Sequence, residues 1–502
     1  MMANETVDVV VAGSGNAAMA AAVAAHEAGA RVLVLEKAPY SHRGGNSRFS
    51  SGATLRHAHN GLEDLKEYVH SLQALPASEV ETYDIPPYPK DFFYRDLMRV
   101  TKGLADPDLG ALLVNESQPT LRWMVGLGHE LELLYEGTVV VGGRRKWPAT
   151  GLAAHPKDGG AGLIDCWLRI AQQKGIEVRL ETRVSRLLVT GRNAVCGVEI
   201  LGAQGRQEIS SKAVVLACGG FEANPQARAA HLGPGWDIAR VRGTRYNTGE
   251  GLQMAIAIGA QPAGHWSSLH CSTIDANAPL MEGKYLQFEN RGTNTNRKGW
   301  VLGITVNTLG QRYFDEGEDF ANYTYAKTGP MMLQQPEGVV YQIYDAKTSN
   351  LVSSEYQHQT WVVADTIADL AQQLEIHPQV LEKTVREFNA AVVEDRPIDR
   401  TICDGRHTEG IWPPKSNWAQ KIDTPPYKAC AVTAGITFTY GGLKVNPRMK
   451  VFDVQERPIP GLYAAGETTG GFFYHNYPSG SGIPRGFVTG RVAGRNAATD
   501  PS

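Results

Sequence analysis

The chain has 502 residues, a net charge of -3, 20% charged residues and 42% hydrophobic residues. That length calls for two or three domains, and the near-neutral balance supplies no basic field for nucleic acid. No run of about 18 apolar residues marks a membrane span, the start MMANETVDVVVAG lacks a secretory leader's pattern, and six scattered cysteines without a CxxC pair point to reduced thiols in the cytoplasm and to no metal centre.

The first element is a strand, Val7 to Ala12, short, apolar and β-branched. Gly13-Ser14-Gly15-Asn16-Ala17-Ala18 follows, then an Ala-rich helix to Ala28 that stops at Gly29, then a second strand, RVLVLE, ending at Glu36. This is the order of a dinucleotide-binding unit. Gly13 makes the tight turn, Gly15 admits a pyrophosphate to the helix N-terminus, Ala18 permits close helix–sheet packing, and Glu36 is placed to accept from a ribose hydroxyl. A glycine turn in an ordinary α/β domain does not call for all of these together.

A second Gly/Ser-rich loop, RGGNSRFSSG (43–52), offers further backbone donors. Residues 60–150 read as a mostly helical excursion with a Pro-rich loop, and GGRRKWP (142–148) carries Arg144, Arg145 and Lys146. KAVVLACGGFE (212–222) is an apolar strand ending in two glycines. A polar helix is expected around 365–395 and a loop rich in Pro and Trp at 411–427. GLYAAGETTGG (461–471) is a strand ending in Gly-Glu, and YHNYPSGSGIPRG (474–486) leads into a helix from Phe487 to Ala498. A simple NAD unit does not need its own sequence to return at the C-terminal end. An extended FAD does, because its flavin end is held far from its adenine end.

The stretches GSGNAA, RGGNS, RGTRYNTGEG (242–251), RYFDEGEDFANYTYAK (312–327), DTPPY (423–427), GITFTYGG (435–442) and YAAGE resemble the flavoproteins of the succinate dehydrogenase, fumarate reductase and 3-ketosteroid dehydrogenase type. The likeness is greatest to the tricarballylate dehydrogenase branch and runs from about residue 7 to 498. It implies an α/β fold: a Rossmann-type FAD-binding domain, discontinuous (1–263 and 434–502), interrupted by an α+β capping domain (264–433). It implies non-covalent FAD, since the segment after His42 is too short for the covalent pattern. FAD contacts are implied for Gly13, Gly15, Asn16, Ala17, Ala18, Glu36 and Lys37, and for Gly44, Gly45, Asn46, Ser47 and Gly52. They are implied too for Val184, Ala217, Gly219, Gly220, Asn247 and Gly251, and for Gly466, Glu467, Ser481, Gly482 and Ile483.

Dicarboxylate reductases of this type use two histidines, a catalytic arginine and a C-terminal arginine. Here His270 matches the first histidine, Phe438 stands at the second, Phe320 at the catalytic arginine and Tyr477 at the C-terminal one. An arginine clamp serves carboxylates, whereas a tyrosine donates to a carbonyl or hydroxyl. The order Tyr-Pro-small-small is similar to the ketosteroid dehydrogenases, where a tyrosine polarises a ketone. The acid or base is left among Tyr323, Tyr325 and His270, with Tyr440 beside the flavin-side glycines. Arg56, Arg144, Phe438, Phe473 and Arg485 are candidate substrate contacts. A carboxylate α,β-dehydrogenase of tricarballylate type, a cyclic-ketone dehydrogenase and, least favoured, a non-enzymatic flavin scaffold are the three readings. Without haem or iron–sulfur spacing, electrons are expected to leave to a separate quinone, redox protein or dye.

Overall fold

The computed structural model describes residues 5–50, 54–191, 193–282 and 294–500. Strand β1 (Glu5–Ala12) is fully buried from Val9 to Ala12, as suits a β-branched run inside a parallel sheet. The chain turns at Gly13 with φ 107°, a left-handed value at which a Cβ would lie 2.5 Å from the Ala217 carbonyl oxygen. Helix α1 (Asn16–Glu27) follows, beginning at Gly15 with no side-chain cap. Strand β2 (Val32–Leu35) ends one residue before Glu36.

Residues 60–150 contain short helices at 62–68, 70–73 and 77–80, then α2 (Lys90–Val100) and α3 (Pro107–Gly126), beside a small sheet built from 83–84, 139–141 and 144–146. Helix α4 (Gly159–Gln173) and strands β3 (Glu177–Arg179), β4 (Arg183–Val189), β5 (Val195–Gly202) and β6 (Gly205–Leu216) return the chain to the first sheet. Helix α5 (Glu250–Ala257) precedes most of a second, six-stranded sheet, formed by β7 (Pro262–Asp275), β8 (Ile304–Asn307), β9 (Val339–Tyr344) and β10 (Tyr427–Leu443) with short strands at 240–241 and 362–364 on β10, and helix α6 (Ala321–Leu333) packs against β7 and β10. Strands β11 (Lys450–Phe452) and β12 (Pro458–Ala464) rejoin the first sheet, and helix α7 (Gly482–Thr499) closes the chain.

The first sheet has the order β11-β12-β6-β1-β2-β3, with β5 on β6 and β4 on β5. Its parallel strands end level: Ala12 lies opposite both Leu216 and Leu35, and Leu216 opposite Ala464. Gly13, Glu36, Ala217 and Ala465 therefore emerge together at one carboxyl edge, where ligands of open α/β sheets bind. In the second sheet β7 runs antiparallel to β10; β7 passes through position 263 and β10 through position 433, where the expected domains join.

Two helix expectations change. The last helix starts at Gly482 rather than Phe487, because Pro484 fits a first turn where no intrahelical N–H is required. The stretch around 365–395 is two helices, 367–373 and 378–391, separated at Glu375 (φ 58°) and restarted by Pro378 at N1. Helix α7 lies on α1 through Gly490 and Gly494, where Cβ atoms would come 2.2 Å from the Ala17 oxygen and 2.0 Å from the Ala21 oxygen. Gly494→Val is expected to separate the helices and cost roughly 1–3 kcal/mol, read as a lower urea midpoint. An unchanged midpoint would mean the helices reseat freely.

Candidate active site

A long cavity opens at the carboxyl edge of the first sheet and runs beneath the second. At one end stand Gly13, Gly15, Asn16 and Ala17, with Glu36 and Lys37 beside them. Gly45, Asn46 and Ser47 also line it, as do Val184, Ala217, Gly219, Asn247 and Gly251. Gly466, Glu467, Gly482 and Ile483 line it where α7 begins.

Glu36 is held ready rather than free. Its Oε2 accepts from the Ser14 N–H (2.9 Å) and hydroxyl (2.7 Å), and its Oε1 from the Ala38 N–H (2.8 Å). A carboxylate has about four acceptor positions, so one remains for a ribose hydroxyl. Lys37 donates to Thr248 and Glu250, each at 2.6 Å. Asn16 ties three distant segments: its N–H donates to Ser47 Oγ, its amide to the Ile483 carbonyl, and its oxygen accepts from Trp167. The uncapped N-termini of α1 and α7 both meet the cavity, a setting for phosphate or another electron-rich group.

Four expected cofactor contacts form a second layer instead. Ala18 is buried within α1. Gly44 donates its N–H to Ser14 Oγ, and a Cβ there would meet Ile164 at 2.7 Å. At Gly220 a Cβ would lie 2.2 Å from both Glu467 and Thr439, and Ser481 turns its hydroxyl to the Pro478 carbonyl. Gly52 lies outside the described residues.

Two carboxyl groups stand together here, Glu467 on the cavity wall and the fully buried Glu222 behind it. Glu222 accepts from Asn46 and Asn247 (2.6 Å to the latter), and Glu467 from the Thr439 N–H at 2.7 Å. Burial first, and the neighbouring Glu467 second, push the Glu222 carboxyl well above the usual range; burial also raises Glu467 against the pull of Arg485. The pair thus holds a proton more tightly than free carboxylates do.

The far end is aromatic. His270 and Phe438 are cross-strand neighbours on β7 and β10, their rings stacked at 4.8 Å and 11°. A bulge between His265 and Leu269 sets this register. The hydroxyls of Tyr325 and Tyr477 share a short hydrogen bond, and both rings meet His270 edge-on at 4.7 and 5.0 Å. Burial raises the Tyr477 phenol well above its usual value, so it stays a donor. Arg485, brought down to about 10 by burial, lies 4.9 Å over Phe473 and 5.4 Å over Phe438.

The structure does not bring every candidate here. Tyr323 and Tyr325 are two residues apart on α6, hence turned by about 200°; Tyr325 faces the cavity, while Tyr323 donates to Asp96 at 2.8 Å. Arg56 is fully buried outside the wall and binds the Ser479 carbonyl (2.6 Å), Tyr88 (2.7 Å) and Tyr323 (3.2 Å). Arg144 lies exposed on the small sheet of 83–84, 139–141 and 144–146, donating to the Glu81 carbonyl. Phe473 and Tyr440 stand one layer behind Phe438. Arg242 and Lys298 are among the wall residues that escaped the sequence reading. The first lies in RGTRYNTGEG, a motif read only for its flavin-side residues; Lys298 carries no motif.

Known proteins agree with this geometry. The sequence pattern of the FAD binding domain family matches residues 8–74 and 89–483. The chain is 29% identical over 500 residues to the probable fumarate reductase Ifc3 of Shewanella frigidimarina (strain NCIMB 400), covering 99% of this chain and 75% of that one. It is 28% identical over 560 residues to the 4-oxocyclohexanecarboxylate 2-dehydrogenase of Sinomonas cyclohexanicum, covering 99% and 94%. The open form of a flavocytochrome c3 fumarate reductase superposes with a TM-score of 0.72 at 27% identity, covering 98% of this chain and 78% of that one.

The residues present fit FAD. Glycines on the cavity wall leave room for close backbone approach, Glu36 keeps an acceptor position, and two helix N-termini meet the cavity. Among the described residues no helix is long and apolar enough to cross a membrane. The chain belongs to the FAD binding domain family, within the succinate dehydrogenase and fumarate reductase flavoproteins, and is an FAD-dependent oxidoreductase.

Proposed function

We propose that this protein removes two hydrogens from a CH–CH bond next to a carbonyl or carboxyl group. The observation that carries this reading is the buried Tyr325–Tyr477 hydroxyl pair beside His270 and Phe438. In such a pair one hydroxyl donates to the other, and the second proton is left for a substrate oxygen. Polarising that oxygen acidifies the neighbouring C–H. His270, in ring contact with both tyrosines, receives the proton, as histidine is the commonest general base. Bound FAD, held without a covalent bond, supplies the acceptor for the hydride that leaves the adjacent carbon. Loss of that proton and hydride forms the C=C bond.

In a substrate of tricarballylate type the polarised oxygen belongs to a carboxylate, in a cyclic ketone to the carbonyl. The neutral donor pair and the flat face of Phe438 support the ketone. The segment 264–433 acts as the cap over the substrate, and the electrons pass on to a separate quinone or redox protein in the cytoplasm.

Anaerobic mixing tests the reading. Cyclic ketones or carboxylates with an α,β CH–CH bond should bleach the yellow holoenzyme and yield the unsaturated product. Bleaching by alcohols or amines alone would refute the proposal.

A further inference from the structure

Two cations stand together at the reaction end of the cavity. Arg242 is 8% exposed and forms part of the wall. Its Nε donates to Asn296 Oδ1 at 2.5 Å and an Nη to Thr437 Oγ1 at 2.8 Å. Both acceptors are neutral, and among the described residues Arg242 has no ion pair. Lys298, also on the wall, holds its Nζ 5.0 Å over the Tyr325 ring. Its one carboxylate partner within ion-pair distance among the described residues is Glu355, at 3.6 Å, which also accepts from Asn296 at 2.7 Å. Burial and Arg242 both work against the Lys298 charge, while Glu355, Glu136 and Tyr325 support it and keep the ammonium above its usual value. Two like charges thus share a low-dielectric wall, and among the described residues only Lys298 has a carboxylate in ion-pair contact. Such an arrangement is costly unless an anion enters it, and the guanidinium retains N–H donors for a carboxylate.

We propose that Arg242 and Lys298 form an anion subsite that holds a carboxylate of the substrate apart from the oxygen received by Tyr325 and Tyr477. The enzyme then selects oxo acids over neutral ketones. The inference rests on the reading above for which bond reacts, but the binding it predicts does not depend on turnover.

The test is calorimetric titration of the holoenzyme with its flavin reduced by dithionite, so that saturated ligands cannot be oxidised. The probes are 4-oxocyclohexanecarboxylate, succinate and tricarballylate, each against its methyl ester. At least the oxo acid should bind about 10–100-fold more tightly than its ester, the range of a charge-assisted contact. Arg242→Gln and Lys298→Met should each narrow that gap by about tenfold, with FAD content unchanged, while Arg242→Lys keeps most of it. Equal affinity of acid and ester throughout the set, including no binding of either, overturns the proposal, as does a gap that survives both substitutions. If the acid preference holds but only alcohols or amines bleach the flavin, the dehydrogenation reading fails and the subsite stands. If ketones bleach it with acid and ester binding alike, the reverse is true.

Discussion

Tyr477→Phe is expected to slow flavin reduction by about 10²–10³-fold, roughly 3–4 kcal/mol, while substrate affinity changes less. The ring stays, so the contacts with His270, Phe438 and Phe473 persist, and only the hydroxyl shared with Tyr325 is lost. Because burial keeps this phenol protonated, its removal takes away a donor rather than a base. The defect should therefore be of similar size across neutral pH. Stopped-flow reduction of parent and variant measures it. A variant reducing within about twofold of the parent, far below the scale of a lost donor, would assign Tyr477 to packing alone.

The second large effect is on stability. Arg312→Met is expected to cost about 3–5 kcal/mol, because it leaves the buried Glu316 carboxylate without its partner. Arg312 holds both Glu316 oxygens, at 3.0 and 2.5 Å, donates to the Pro413 carbonyl at 2.7 Å, and covers the Phe388 ring at 4.9 Å. Thr305 N–H still reaches Glu316 at 2.8 Å, but one neutral donor does not replace a guanidinium. Adding Glu316→Gln should recover part of the loss, since the unpaired charge disappears. Urea unfolding of the holoenzyme reads both. A loss under about 1 kcal/mol would show that the site relaxes to admit water.

The cofactor end was largely legible in the sequence because its signals are local. A left-handed turn at Gly13, a small-residue helix and an acidic residue after the next strand each follow from neighbours in the chain. Their arrangement around one ligand follows from the parallel register of β1, β2 and β6. The second-layer positions were less legible. Whether Gly220 touches a cofactor or only makes room for Glu467 depends on a side chain from the far end of the chain.

Tertiary structure decided which of the named candidates meet at the reaction end. Tyr323 and Tyr325 are equivalent as letters, and only the docking of α6 turns one to the cavity and the other to Asp96. Arg56 and Arg144 carry the same charge as Arg242. Burial among tyrosines and an exposed position on the small sheet remove the first two from the wall, and pairing to Asn296 and Thr437 places the third on it. Sequence by itself determined which cofactor this protein takes and where its N- and C-terminal segments meet around it. The substrate pocket had to wait for the fold, because its residues come from strands and a helix far apart in the chain, and packing, not local propensity, selects which side chains face each other.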